Sequence, residues 1–197
     1  TGDVPLGEKV KQYIKEKHQK PGNVFLGVVH RLDRPVSGVI LFAKTSKALE
    51  RLNKAFKTRE VQKTYWAVVK NMPAKLEDTL IHHLCRYPQK NMSRAFNEPQ
   101  KNSKKAELSY HLISSIDNYH LLEVKPVTGR HHQIRVQLKK IGCSIKGDVK
   151  YGFARTNSDG SIHLHARKLE LIHPVKKEPI EILAEPPNDV VWNELKP

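Results

Sequence analysis

Covalent anchors are scarce in this 197-residue sequence. It has two cysteines, Cys85 and Cys143, far apart and without CxxC spacing. That excludes a disulfide framework and argues against a zinc ribbon or a redox pair. Sparse cysteine also suits a reducing compartment, so the cytoplasm is the expected location. No apolar run is long enough to span a bilayer, and the opening TGDVPLGEK carries no signal-peptide pattern. No strongly amphipathic basic helix appears either, so no membrane partner is expected. A chain of this length buries most of the surface its unfolded form exposes, and its core can stand without disulfides or metal. One domain over residues 1–197 is the simplest organisation.

Acid is the scarce charge. There are 35 Lys+Arg against 20 Asp+Glu, a formal net charge of +15. Such an imbalance is the electrostatic footprint of a nucleic-acid partner, against the plainer reading of solvated surface lysines. The basic residues concentrate in 86–105, which holds six Lys or Arg and one acid, Glu98. With its Asn, Pro and Ser, that segment reads as a long exposed loop or hairpin.

Residues 7–19 place Val10, Tyr13 and Ile14 at helical spacing, and PGN at 21–23 ends that helix. GVILFAK (38–44) reads as a buried strand. Ser46 is expected to cap a helix to about Lys57, with Ala48, Leu49, Leu52, Ala55 and Phe56 inward. KTYWAVV (63–69) is a strand, and 106–116 with 119–127 a strand pair around Asp117-Asn118. HHQIRVQLKKI predicts a helix stopped by Gly142. Residues 144–160 are loop-rich; 161–172 and 179–185 alternate like strands. The acidic tail from Pro187 is expected to cover a sheet edge. The sum is an α+β fold: a mixed, largely antiparallel central sheet flanked by helices and loops.

Three stretches carry chemistry. HRLDRPVSG puts Asp33 between Arg31 and Arg34, on a turn just before an apolar run. The plain reading is a salt-bridged structural residue. The turn at a strand edge favours the other reading, in which a positioned carboxylate acts as nucleophile or base. TGRHHQIR offers Arg130 at a helix start, where anions bind, and Arg135 five residues on, free to point inward at a carboxylate. KTYWAVV sets Tyr65 and Trp66 on opposite strand faces; one is core and the other is free to stack on a base. The histidine pairs, including His163 and His165 on one strand face, lack HExxH spacing and an acidic cluster, so no metal is expected. HRLD is also unlike a kinase loop, since its aspartate is displaced and no Gly-rich loop or DFG accompanies it.

Taken together, the sequence resembles the RluA-type pseudouridine synthases. HRLDRPVSGVILFAKT, KTYWAVV, TGRHHQIR, IKGDVKYG (145–152) and LHARKLELIHP (164–174) occur in that family's order and cover most of His30–Pro174. The resemblance implies an isomerase that turns uridine in RNA, ribosomal or transfer, into pseudouridine without cofactor, metal or energy source. Asp33 matches the family's catalytic aspartate, whose role is left among attack on the ribose, attack on the base and removal of a sugar proton. Arg135 matches its ion-pair partner, and Tyr65 the tyrosine that packs on the target base. Arg31 matches the residue that fills the space left by the flipped nucleotide. Arg31, Arg34, Arg130 and His132 are the substrate-binding candidates. RNA rather than DNA is the expected partner, and a monomer the expected state. The strands and Lys-Pro segment that usually open the family's catalytic domain are not seen ahead of His30, and His131 stands where many relatives have Thr or Ser. The alternative is an RNA-binding protein of the same fold that does no isomerisation.

Overall fold

The computed structural model describes residues 2–197. In chain order the elements are α1 (Leu6–Lys17), β1 (Gly27–Val28), β2 (Ser37–Gly38), β3 (Phe42–Ala43), α2 (Ser46–Lys57), β4 (Gln62–Val69), β5 (Glu77–Tyr87), β6 (Met92–Phe96), β7 (Lys104–Ile116), β8 (Tyr119–Pro126), α3 (Gln133–Lys140), β9 (Leu164–Ile172), β10 (Pro179–Leu183) and α4 (Val190–Leu195). They divide into two compact units. One takes the stretch up to Arg31, Ile40–Val61 and Leu171–Ile180; the other takes Leu32–Val39, Gln62–Glu170 and Glu181–Pro197.

In the first unit, β1 pairs antiparallel with β3, and Gly27 lies where a Cβ would press on the Leu49 side chain of α2. Thr45, not Ser46, caps α2: its hydroxyl accepts the Ala48 N–H at 3.1 Å. The cap falls one residue early because Thr45 is extended while Ser46 is already helical. Leu52 is buried, and Ala48, Leu49, Ala55 and Phe56 are half-buried beside it, the inward stripe that helical spacing predicts.

The second unit is built on a sheet of order β10-β9-β4-β8-β7-β5-β6, with β2 on β9. Neighbours from β4 to β9 pair antiparallel, and β2 joins β9 in parallel. Period-two alternation along β4 splits the core. Ala67 and Val69, with Leu108, Leu122, Val124 and α3's Ile134 and Leu138, fill one face. Trp66 and Val68 join Leu121 and α4's Trp192 and Leu195 on the other. The C-terminal segment therefore covers a sheet face, not an edge, because Trp192 and Leu195 have apolar area to bury there. Residues 86–105 form a hairpin, turned by Pro88–Lys90 and a left-handed Asn91, with a loop leading into β7.

GVILFAK does not form one strand. It breaks into β2 and β3, and the reason is Gly38. Its φ of 114° is closed to other residues, and a Cβ there would collide with the Ala166 backbone. That close approach pairs Ser37 and Gly38 with His165 and Ala166, and the Val39 N–H donates to the Ala166 carbonyl at 2.9 Å. The Ile162 N–H donates to the Pro35 carbonyl at 3.0 Å. His165 completes the clamp. Its Nε2 faces the Ala184 carbonyl at 2.9 Å, which can only accept, so Nδ1 accepts the Ser37 hydroxyl at 2.8 Å. The turn carrying Asp33 is thus fixed to the sheet by backbone contact.

Gly38→Ala should lower stability by about 1–3 kcal/mol from backbone conformation alone, with the collision adding to it. Gly22→Ala, where a Cβ meets nothing within 4 Å, should be near neutral. Equal urea midpoints for the two variants would show that the close approach of β2 to β9 is not made.

Candidate active site

Arg135 organises the centre of the second unit. It lies in α3, whose residues from Gln133 to Leu138 are all buried. A surface helix would have let its charge face water; a buried guanidinium must be paired. Asp148, itself 1% exposed at the side chain, takes it in a two-pronged grip, with Nε to Oδ2 at 2.7 Å and Nη2 to Oδ1 at 2.8 Å. The remaining Nη1 donates to Asp33 Oδ2 at 3.1 Å. Burial disfavours the charge on Arg135, but Asp148 and then Asp33 outweigh it, and its pKa rises.

Asp33 is the exposed end of this chain of charges, 22% accessible at the side chain. Its carbonyl accepts the Val36 N–H at 2.9 Å, closing the turn through Arg34 and Pro35. Two side chains approach one oxygen: the charged Arg135 through Nη1 at 3.1 Å and His132 through Nε2 at 3.6 Å, both toward Oδ2. Oδ1 has no hydrogen-bond partner among the described residues. The carboxylate is held by one oxygen and open at the other.

Tyr65 stands on the α3 side of β4, packed against the main core cluster. Burial, and then the nearby charge of Asp33, push its pKa up to about 12. The phenol is therefore neutral at physiological pH and lies near enough to the carboxylate to feel its charge. Trp66 points the other way, under Arg167 at 4.6 Å and among the α4 contacts, so it is the core partner of the pair.

The other sequence-level candidates lie elsewhere. Arg34 is exposed on the turn next to Asp33. Arg130 is exposed ahead of α3, not in its first turn; its Nε donates to the Lys105 carbonyl at 3.0 Å, and its N–H goes to Gln133 Oε1 at 2.9 Å. Arg31 is exposed and belongs to the first unit. His132 is buried, with Nδ1 on the Tyr151 hydroxyl at 2.8 Å and Nε2 toward Asp33. His131 stacks on it at 3.8 Å and reaches Ser93 Oγ and Asn91 Oδ1. His163 and His165 share a face and both meet Trp192.

Asp148 and Tyr151 were not singled out from sequence. The signal lay in KGDVKYG, one acid between lysines, bracketed by two glycines. Gly147 (φ 84°) and Gly152 (φ 94°) are both left-handed, and a Cβ on Gly147 would press on Asn157 and the Ser161 carbonyl. Such a tight segment aims Asp148 inward.

Comparison with known proteins gives the family. Residues 5–140, more than half of the chain, match the RNA pseudouridylate synthase family. The chain belongs to that family, as its ordered RluA-type motifs implied. It is 34% identical over 174 residues to tRNA pseudouridine synthase C of Pectobacterium carotovorum, covering 79% of this chain and 46% of that protein. It is 33% identical over 175 residues to ribosomal large subunit pseudouridine synthase C of Vibrio vulnificus, covering 84% and 53%. The chain spans about half the length of these curated relatives. The solved structure of human RNA Pseudouridylate Synthase Domain Containing 4 has the same fold, with TM-score 0.81 at 24% identity, covering 98% of this chain and 83% of that one.

Two outcomes follow. Asp148→Asn keeps the shape but leaves Arg135 without its full counter-charge, and breaking such a buried pair costs about 3–5 kcal/mol. Thermal unfolding should shift down by about 2–4 °C per kcal/mol; an unshifted melting temperature would mean that the pair is not buried as described. The second concerns pH. Burial holds His132, His163 and His165 below the ordinary 6.5, His132 at about 4. Below 6.5 the unfolded chain binds more protons than the folded one, so stability is full above that value and is lost as pH falls toward 4. Urea midpoints should drop between pH 7 and pH 5; a flat profile would show that these rings are not held neutral.

Proposed function

We propose that this chain is the catalytic domain of an RNA pseudouridine synthase that isomerises uridine in structured ribosomal or transfer RNA, with Asp33 as the reacting carboxylate. The observation that carries the reading is Asp33 itself: anchored through Oδ2 by Arg135, without a hydrogen-bond partner on Oδ1 among the described residues, and close enough to Tyr65 to shift its phenol. Binding alone needs no such arrangement, since RNA phosphates repel a carboxylate. Its relatives, a tRNA pseudouridine synthase and a ribosomal large subunit pseudouridine synthase, support the RNA class.

The chemistry is balanced without a co-reactant. The N1–C1′ glycosidic bond breaks, the uracil turns, and a C5–C1′ bond forms. The proton on C5 is lost and N1 regains one. No net oxidation occurs, so no cofactor or metal is called for. Asp33 meets the substrate through Oδ1. Arg135 holds the carboxylate and balances its charge before and after the step. Tyr65 supplies a surface on which the loose uracil stays while it turns. A base stacked in a helix must first be flipped out, at a cost of about a few kcal/mol. Phosphate contacts from a +15 chain offset that cost. Arg31, Arg34 and Arg130 are proposed among them, and the basic hairpin of 86–105 is proposed to select the substrate. The protein works as a monomer in the cytoplasm on this reading.

The test is tritium release from RNA labelled at C5 of uridine, drawn from cells lacking the enzyme, with no cofactor added. Wild type should release tritium, while Asp33→Asn falls to background yet keeps RNA affinity. Equal release from both would remove Asp33 from the chemistry. Binding without any release would favour an RNA-binding protein of this fold.

A further inference from the structure

His132 is a buried ring with a hydrogen-bond partner at Nδ1 and a carboxylate facing Nε2, and these determine where its proton sits. The Tyr151 hydroxyl accepts the Ser93 N–H at 2.8 Å and lies 2.8 Å from His132 Nδ1. Among the described residues its own proton has one acceptor within reach, which is Nδ1. A neutral imidazole that accepts at Nδ1 carries its hydrogen on Nε2. That hydrogen points toward Asp33 Oδ2, 3.6 Å away, longer than a hydrogen bond. Unliganded sites often hold catalytic contacts at such distances and close them when substrate binds.

We propose that His132, set by Tyr151, is a positioning residue whose Nε2–H joins Arg135 in holding Oδ2 of Asp33, so that Oδ1 is the oxygen presented to the nucleotide. The inference rests on the synthase reading and deepens it. It moves His132 from the RNA surface, where the motif suggested a substrate contact, to the support of the carboxylate. A phosphate would need an outward donor, and His132 has none.

The surroundings fit a neutral ring. Burial comes first, and Arg135, His131 and Lys150 add to it; together they outweigh the pull of Asp33 toward the charged form, and Tyr151 donates to the lone pair that a proton would occupy. A cationic His132 would put a second positive charge on Oδ2 and make the carboxylate a poorer base or nucleophile. A neutral donor orients it without doing so. The arrangement also reaches the basic hairpin, because the Ser93 N–H that fills one site on the Tyr151 hydroxyl belongs to β6.

The experiment has two readouts on the whole chain. Long-range nitrogen–proton NMR on the unliganded protein reports the His132 tautomer without any substrate. At pH 7 the ring should be neutral with its proton on Nε2. In Tyr151→Phe, loss of the donor to Nδ1 should let His132 protonate at higher pH, from about 4 toward the ordinary 6.5. Tritium release then gives kinetics. His132→Ala should lower kcat by up to about a hundredfold with KM unchanged. His132→Gln, which keeps an N–H at the Nε2 position, should recover much of that loss. In Tyr151→Phe the acid limb of kcat should move up with the ring's protonation. A wild-type ring that is Nδ1-protonated or cationic at pH 7 overturns the proposal. So does a His132→Ala variant that turns over like an active wild type. A silent wild type with the expected tautomer instead overturns the synthase reading, and the proposed role with it.

Discussion

The grip of Asp148 on Arg135 is the constraint on which the rest of the site depends. A guanidinium cannot be left alone in a buried helix, and the cost of stranding it exceeds what most single contacts return. Two of its three nitrogens are committed to Asp148, in a geometry that the planar fork allows and a lysine would not. What remains is one donor with a fixed direction, and that direction ends on Asp33. The Asp33 carboxylate is placed by a cation that is itself held at two nitrogens.

The second requirement is that the backbone bearing Asp33 be equally fixed. Here the sheet supplies the answer. β2 is two residues long and has no stability of its own; its hold comes from β9, through Gly38 against Ala166 and Ser37 against His165. The carboxylate and its anchor therefore arrive from distant parts of the chain, about a hundred residues apart, on supports that share one sheet. β4 sits beside β9 and carries Tyr65 on the α3 face. For the proposed chemistry such rigid supports matter, because small misplacements of a reacting group are costly.

The tertiary structure also sorted residues that look alike in sequence. Tyr65 and Trp66 are adjacent aromatics, yet strand alternation sends one to the carboxylate side and the other under α4. His131 and His132 are adjacent imidazoles, yet the left-handed backbone at His132 (φ 54°) turns it inward, while His131 ties to the β6 hairpin. The KGDVKYG segment, which composition marks as a basic loop, delivers the most buried acid of the site.

Local chemistry was legible in the sequence because it depends on near neighbours. Alternation marked β9 and β10, and strand-like stretches marked β4, β7 and β8; helical spacing marked α1 and α2, and Gly142 the end of α3; the scarcity of acid marked Asp33 in its basic frame. The ordered motifs brought Arg135 and Tyr65 to it. Pairing across the fold was not legible. Nothing in GVILFAK says that Gly38 lies on Ala166, so one strand was expected where the chain makes two. Nothing near Arg135 names Asp148 as its main partner, and nothing near His132 names Tyr151. The sequence by itself determined the helices α1 to α3, the longer strands β4, β7, β8 and β9, and which residues carry ionisable or aromatic groups, since those follow from side-chain type and spacing. Only the tertiary structure decided which charges are buried together and which oxygen of Asp33 is open, because burial and distance are properties of packing between segments far apart in the chain.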